Sequence, residues 1–243
     1  MKKLISTAIV FMTVLQSCNS MMEKSECVNQ DSKHYNICLI LDGTDRLSEQ
    51  NGVPVVSSED IVEVAKILSD KGLGNLYVSY VDQNCDNNHV AIFEWLEEKP
   101  GTIGEKPGYM KMDAYKKLER EDVYNMEAYE KRKEEVLDIF STESNSVVVS
   151  AYSDIVAKQR KGSDINGAVN KAIRLLRASE QDSVRSHIIL VSDGCDNVGN
   201  ELAEIPQNTE MIIVNSNVSK HQYGELVSKE FVTMKQALNY IFR

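Results

Sequence analysis

Tyr35-Asn36-Ile37-Cys38-Leu39-Ile40-Leu41-Asp42-Gly43 is the stretch on which the reading of this chain turns. A nearly unbroken apolar run stops abruptly at a carboxylate and a glycine. A strand with one wet face alternates apolar and polar residues. A run without alternation fits a strand buried on both faces, as in a parallel sheet.

The neighbouring segments fit the same picture. Ser57 and Ser58 with Glu59 and Asp60 form a helix start, Ile61, Val64, Ala65 and Leu68 make one apolar helical face, and Gly72 and Gly74 end it. Residues 76–81 and 89–95 read as strands. The short polar turn at 82–88 between them makes a hairpin, so the third strand is expected antiparallel at a sheet edge. Residues 97–109 are rich in Gly, Pro and charge and read as loop. A charged helix follows, with Met126, Tyr129, Val136 and Phe140 at helical spacing. Residues 146–151 read as another strand. Asp164 opens a helix carrying Ile165, Ala168, Val169, Ala172 and Leu176 on one side. Strands at 187–191 and 211–214 and an amphipathic helix at 234–242 complete the order. Alternating strands and helices predict an α/β fold, a three-layer, doubly wound, mostly parallel sheet with one antiparallel edge strand.

The first residues read as a targeting segment. Lys2 and Lys3 precede a mostly apolar run from Leu4 to Leu15, too short to span a bilayer, which suits a signal sequence at 1–17. Leu15-Gln16-Ser17-Cys18 resembles the lipobox of bacterial lipoproteins, which implies lipidation of Cys18 and a chain tethered to the outer membrane of a bacterial envelope. Cleavage near Ser17 with an unmodified thiol is the alternative. Polar, aperiodic residues at 18–33 read as a tether, leaving 34–243 as the folded domain. The formal charge is −10, with 27 Lys and Arg against 37 Asp and Glu. That balance argues against nucleic-acid binding, which needs clustered cations on phosphates. Cys27, Cys38, Cys85 and Cys195 are too few for a disulfide scaffold, and a Cys85–Cys195 bridge is not expected.

In a doubly wound sheet, ligands gather outside the carboxyl ends of the strands, where the strand order reverses. Three polar clusters fall at such places or at the start of the next helix: Asp42-Gly43-Thr44-Asp45-Arg46, Gly162-Ser163-Asp164, and Ser192-Asp193-Gly194. Carboxylates and hydroxyls together suit a hard divalent cation, since Mg2+ takes oxygen ligands, keeps several waters and needs only one or two protein carboxylates.

In their order and flanking elements these clusters resemble the metal-ion-dependent adhesion site of von Willebrand factor A-type (vWA) domains. Ile-Leu-Asp-Gly-Thr-Asp-Arg stands at the first motif, Gly-Ser-Asp-Ile-Asn-Gly-Ala at the second and Ile-Leu-Val-Ser-Asp-Gly-Cys-Asp-Asn at the third. The resemblance covers roughly residues 35 to 242, with an insertion at about 97–139. It implies a binding module rather than an enzyme, with Asp42, Thr44, Ser163 and Asp193 around Mg2+ (or Mn2+ or Ca2+). An acidic residue of a protein partner would then fill the open coordination position. Arg46 departs from the family, which has a metal-binding Ser there. A guanidinium turned inward would pair with Asp42 and Asp193 and replace the metal; turned outward, it leaves Asp45 or water to complete the shell.

Two other readings remain. A purely structural envelope scaffold with a metal-free site differs from the binder only through Arg46. Leu-Asp-Gly-Thr also resembles haloacid-dehalogenase-type phosphatases, but these need a second Asp as general acid where Thr44 stands. A plain structural role fits some of the same residues: Asp164 is a good helix cap, and Gly43 and Gly194 suit turns. The four histidines show no ligand spacing.

Overall fold

A computed structural model describes residues 33–43, 53–152, 162–178, 184–215 and 222–243. The chain forms two compact units, one of Ser32–Pro100 with Tyr124–Arg243, the other including Gly101–Val123. Among the described residues the larger unit has six strands: β1 (Lys33–Leu41), β2 (Gly72–Tyr80), β3 (Ala91–Trp95), β4 (Arg185–Val191), β5 (Thr209–Val214) and β6 (Val227–Phe231). The helices among the described residues are α1 (Ser58–Lys71), α2 (Met112–Tyr152), α3 (Ile165–Ala178) and α4 (Met234–Ile241), with a short 3₁₀ turn at Gly224–Leu226.

The sheet order is β3-β2-β1-β4-β5-β6, and only β3 runs antiparallel. This is the mostly parallel, doubly wound sheet that the apolar runs predict, with the antiparallel strand at an edge. Residues 37–41 of β1 are essentially inaccessible to solvent on both faces. On one face Ile37, Leu39, Leu41, Ile189 and Val191 pack with α1, α4 and the second half of α2. On the other, Cys38, Ile40, Ile188 and Leu190 pack beneath α3. Cys38 is thus a small buried core residue, and Cys38, Cys85 and Cys195 are all free thiols.

Local chemistry sets the element ends. Ser57 caps α1 through a reciprocal box with Asp60: the Ser57 hydroxyl accepts from the Asp60 N–H at 3.2 Å, and the Asp60 carboxylate accepts from the Ser57 N–H at 2.9 Å. Thr233 and Gln236 form the same box at the start of α4.

One expected strand is a helix instead. Residues 146–151 carry three consecutive valines, which favour extended chain by local preference, yet α2 continues through them to Tyr152. The buried positions Leu137, Phe140, Ser144, Val147 and Ala151 step by three and four, one helical stripe that runs through the valines. Packing of that stripe on the sheet, with Phe140 5.4 Å from the Phe93 ring, overrides the preference of Val147–Val149. Conversely β6 forms where the sequence pattern predicts no strand. It is an edge strand whose residues are largely exposed, so it has no apolar pattern to read.

Gly101–Val123 lies within the segment expected as an insertion. Here the Ile103 N–H donates to the Asp122 carboxylate, the Tyr115 hydroxyl to the Gly104 carbonyl at 3.2 Å, and Lys106 Nζ to the Met110 carbonyl at 2.9 Å. Loop and early helix are thus stapled together. Among the described residues no helix is long and apolar enough to cross a membrane.

Candidate functional site

The register of the sheet decides what meets at its carboxyl rim. Leu41 pairs with Val191, so the next residues of the two strands, Asp42 and Ser192, leave the sheet side by side. The Asp42 N–H continues the ladder by donating to the Val191 carbonyl at 3.0 Å. The Ser192 hydroxyl then donates to Asp42 Oδ2 at 2.6 Å and accepts from the Gly194 N–H at 3.0 Å. Ser192 is completely buried and Asp42 nearly so. Strand order reverses here: the chain passes from β1 to β2 and β3 on one side and returns to β4 on the other.

The loop after β4 collects the remaining polar groups. Gly194 has a φ of 72°, a left-handed conformation that glycine adopts without strain, and it turns the chain back over the rim. Asp193 is partly exposed, and its Oδ1 accepts from the Cys195 N–H at 2.9 Å. Ser163 reaches this loop through its backbone: its N–H donates to Asn197 Oδ1 at 2.7 Å, and its carbonyl accepts from the Asn197 N–H at 3.2 Å. Asp196 accepts from the N–H groups of Asn166 (3.1 Å) and Gly199 (2.8 Å). Tyr223 donates its hydroxyl to Asn166 Oδ1 at 2.8 Å. Asp42, Ser163 and Asp193 therefore stand on one rim of one sheet. Thr44 and Arg46 lie outside the described residues, as does Cys18.

Two side chains that sequence reading missed help to shape the site. Tyr152, the last residue of α2, lies against Gly43, where an added Cβ would collide with the Ala151 carbonyl and the Tyr152 ring. Its phenol pKa is pushed up to about 12, chiefly by burial and further by the charge of Asp42, while the Val56 N–H (3.4 Å to its oxygen) opposes the rise. Tyr152 comes from a helix over a hundred residues away in sequence, so no local pattern announces it. Ser192, which in the sequence is only a neighbour of Asp193, is the direct partner of Asp42.

Other groups register the negative charge of this rim. Burial raises the Tyr223 pKa, and the charges of Asp196, Asp42 and Asp164 add to that rise. The exposed Cys195 thiol is raised by what burial it has, then by Asp193 and Asp42. Asp164 has a structural duty: its Oδ1 accepts from the Gly167 N–H at 2.7 Å and caps α3.

The β2–β3 turn buttresses α3. The Asp164 N–H donates to the Asp82 carbonyl at 2.9 Å, and the buried Cys85 thiol donates to the Asp164 carbonyl at 3.1 Å. Lys171 Nζ donates to the carbonyls of Cys85, Asp86 and Asn88.

No protein-family model and no curated protein matches this chain. The chemistry must be read from the rim itself. Its donors are oxygens: two carboxylates from the loops that follow adjacent strands and a serine from the loop before α3. Among the described residues no three His, Cys, Asp or Glu side chains form a metal-holding group. A cation here would thus draw on hydroxyls and water beside Asp42 and Asp193, a set that suits a hard ion such as Mg2+.

Proposed function

We propose that the chain is an envelope-anchored vWA-type binding module that recognises a protein partner through a divalent cation at the carboxyl rim of the sheet. The observation that carries this reading is the juxtaposition of Asp42 and Ser192–Asp193 at the reversal of strand order, with Ser163 on the same rim. The order of three polar motifs along the sequence supports it, as does the sheet with a single antiparallel edge strand.

Asp42, Asp193, Ser163 and Thr44 would hold Mg2+, Mn2+ or Ca2+. When bound, the ion offsets the carboxylates and offers a position to one more oxygen ligand, such as an acidic side chain of the partner. The protein's own contribution is to fix the donors. Ser192 orients the Asp42 carboxylate, the Cys195 N–H orients Asp193, and the Asn197 clasp sets the backbone of Ser163. Lipidation at Cys18 would keep the module on the outer membrane, facing the periplasm or the surface. The reading assigns no catalysis.

A metal-free scaffold is the second reading. It is favoured by the hydroxyl of Ser192 already engaging Asp42 Oδ2, and by Arg46 in place of a ligating serine. Calorimetric titration of MgCl2 and MnCl2 into the full chain and into Asp42→Ala separates the two. The binder gives heat and a raised melting temperature that Asp42→Ala abolishes. A pull-down from native envelope, in metal and in chelator, then yields a partner only with wild type and metal. Absence of heat, with a partner retained equally in chelator, overturns the cation and leaves the scaffold.

A further inference from the structure

At the opposite end of the sheet lies a cavity of about 380 Å³, a size that suits a small molecule. Its walls include Arg185 and His187 at the start of β4, Asn208 and Glu210 around the start of β5, and Tyr240 and Arg243 from α4 and the residues after it. His187 is only 4 % exposed, yet neither ring nitrogen has a hydrogen-bond partner. Folded proteins leave few buried polar groups in that condition, so each one calls for an explanation. Its nearest charge is Glu210, whose Oε2 lies 3.5 Å from His187 Nδ1 and whose Oε1 accepts from the Tyr240 hydroxyl at 3.3 Å. Burial lowers the His187 pKa and the Arg185 charge lowers it further, against the opposing pull of Glu210. At neutral pH the ring is therefore uncharged, with one donor and one acceptor.

The charge around this cavity runs against that of the chain. The protein carries −10 overall, but the lining of this cavity sets Arg185 and Arg243 against one carboxylate side chain, Glu210. Lys33 Nζ donates to the Arg243 carbonyl at 3.1 Å. Neither guanidinium forms an ion pair among the described residues. Two guanidinium groups on one concave wall suit an oxyanion, which each can hold by charge-assisted hydrogen bonds.

We infer that this cavity binds the carboxylate or phosphate group of a small organic anion, with Arg185 and Arg243 supplying charge and hydrogen bonds beside the buried His187 ring. Succinate and inorganic phosphate serve as probes, titrated into the full chain at fixed ionic strength against a chloride control. Binding raises the melting temperature with saturation and shifts the His187 ring proton resonance. A response to succinate alone assigns a carboxylate ligand; a response to phosphate alone assigns a phosphorylated one. Arg185→Gln, at an exposed position that leaves the core intact, weakens the response about tenfold or more, as loss of a charge-assisted hydrogen bond should. Asp42→Ala, at the far end of the strands, leaves it unchanged, so this site stands or falls apart from the rim. No saturable response to either anion, or one that Arg185→Gln leaves intact, overturns the inference.

Discussion

Replacing Ser192 by alanine removes one hydroxyl that serves two partners. In the wild type it donates to the Asp42 carboxylate at 2.6 Å and accepts from the Gly194 N–H at 3.0 Å, in a place closed to solvent. A hydrogen bond to a charged group contributes about 1.5–3 kcal/mol and a neutral one about 1 kcal/mol. Asp42 retains slight exposure and can recover some hydration, so the expected loss is about 3 kcal/mol at neutral pH. That is a large part of the roughly 5–15 kcal/mol that holds a domain folded. Urea titration followed by circular dichroism measures it as a fall in midpoint at unchanged slope. Asp42→Asn keeps an oxygen that can accept from Ser192, so it should cost less. The double variant should then lose at least about 1 kcal/mol less than the sum of the singles, as coupled neighbours do. A loss below about 1 kcal/mol for Ser192→Ala, or strict additivity, would refute the view that this hydroxyl locks Asp42 in place.

Acid sensitivity should report on His187. Its folded pKa lies below the ordinary value of 6.5, so between the two the unfolded chain binds more protons than the native one. Stability therefore falls as pH drops through about 6.5 and levels off below the folded pKa, and His187→Gln should flatten the melting-temperature profile in that window. An unchanged profile would locate the acid response elsewhere. Alkylation with peptide mapping should modify Cys195 in the native state and Cys38 and Cys85 only on unfolding, because the latter two are buried and Cys85 is raised to about 12. If a cation binds at the rim, Mg2+ should accelerate labelling of Cys195 by offsetting Asp193 and Asp42, and equal rates with and without Mg2+ would count against the metal. Val149→Pro, at an exposed position of α2, should cost about 3 kcal/mol through a lost backbone hydrogen bond and a steric clash. A melting temperature equal to wild type would contradict the helix there.

Residues whose burial is imposed by their own strand were legible in the sequence. The run at 35–41 betrayed a strand covered on both faces, and the polar turn at 82–88 betrayed a hairpin. Residues governed by distant partners were not. The valines at 147–149 carry a strand preference, and only the stripe from Leu137 to Ala151, seated on the sheet, decides for helix. β6 lacks an apolar signature because an exposed edge strand needs none. At the rim the same division holds. Asp42 and Asp193 are visible because each stands within two residues of a strand end. Tyr152 over Gly43 and the Asn197 clasp on Ser163 arise from pairings that no window of local sequence contains.

Lys171 has one more consequence. Its ammonium occupies the spot among three carbonyls where a loop of this kind could have recruited a dissolved ion, and it is covalently part of α3. The turn between β2 and β3 thus carries its own counter-charge and cannot lose it to dialysis. If a cation binds at the rim, its removal should act on the Asp42 side, while the hairpin and the capped end of α3 keep their form.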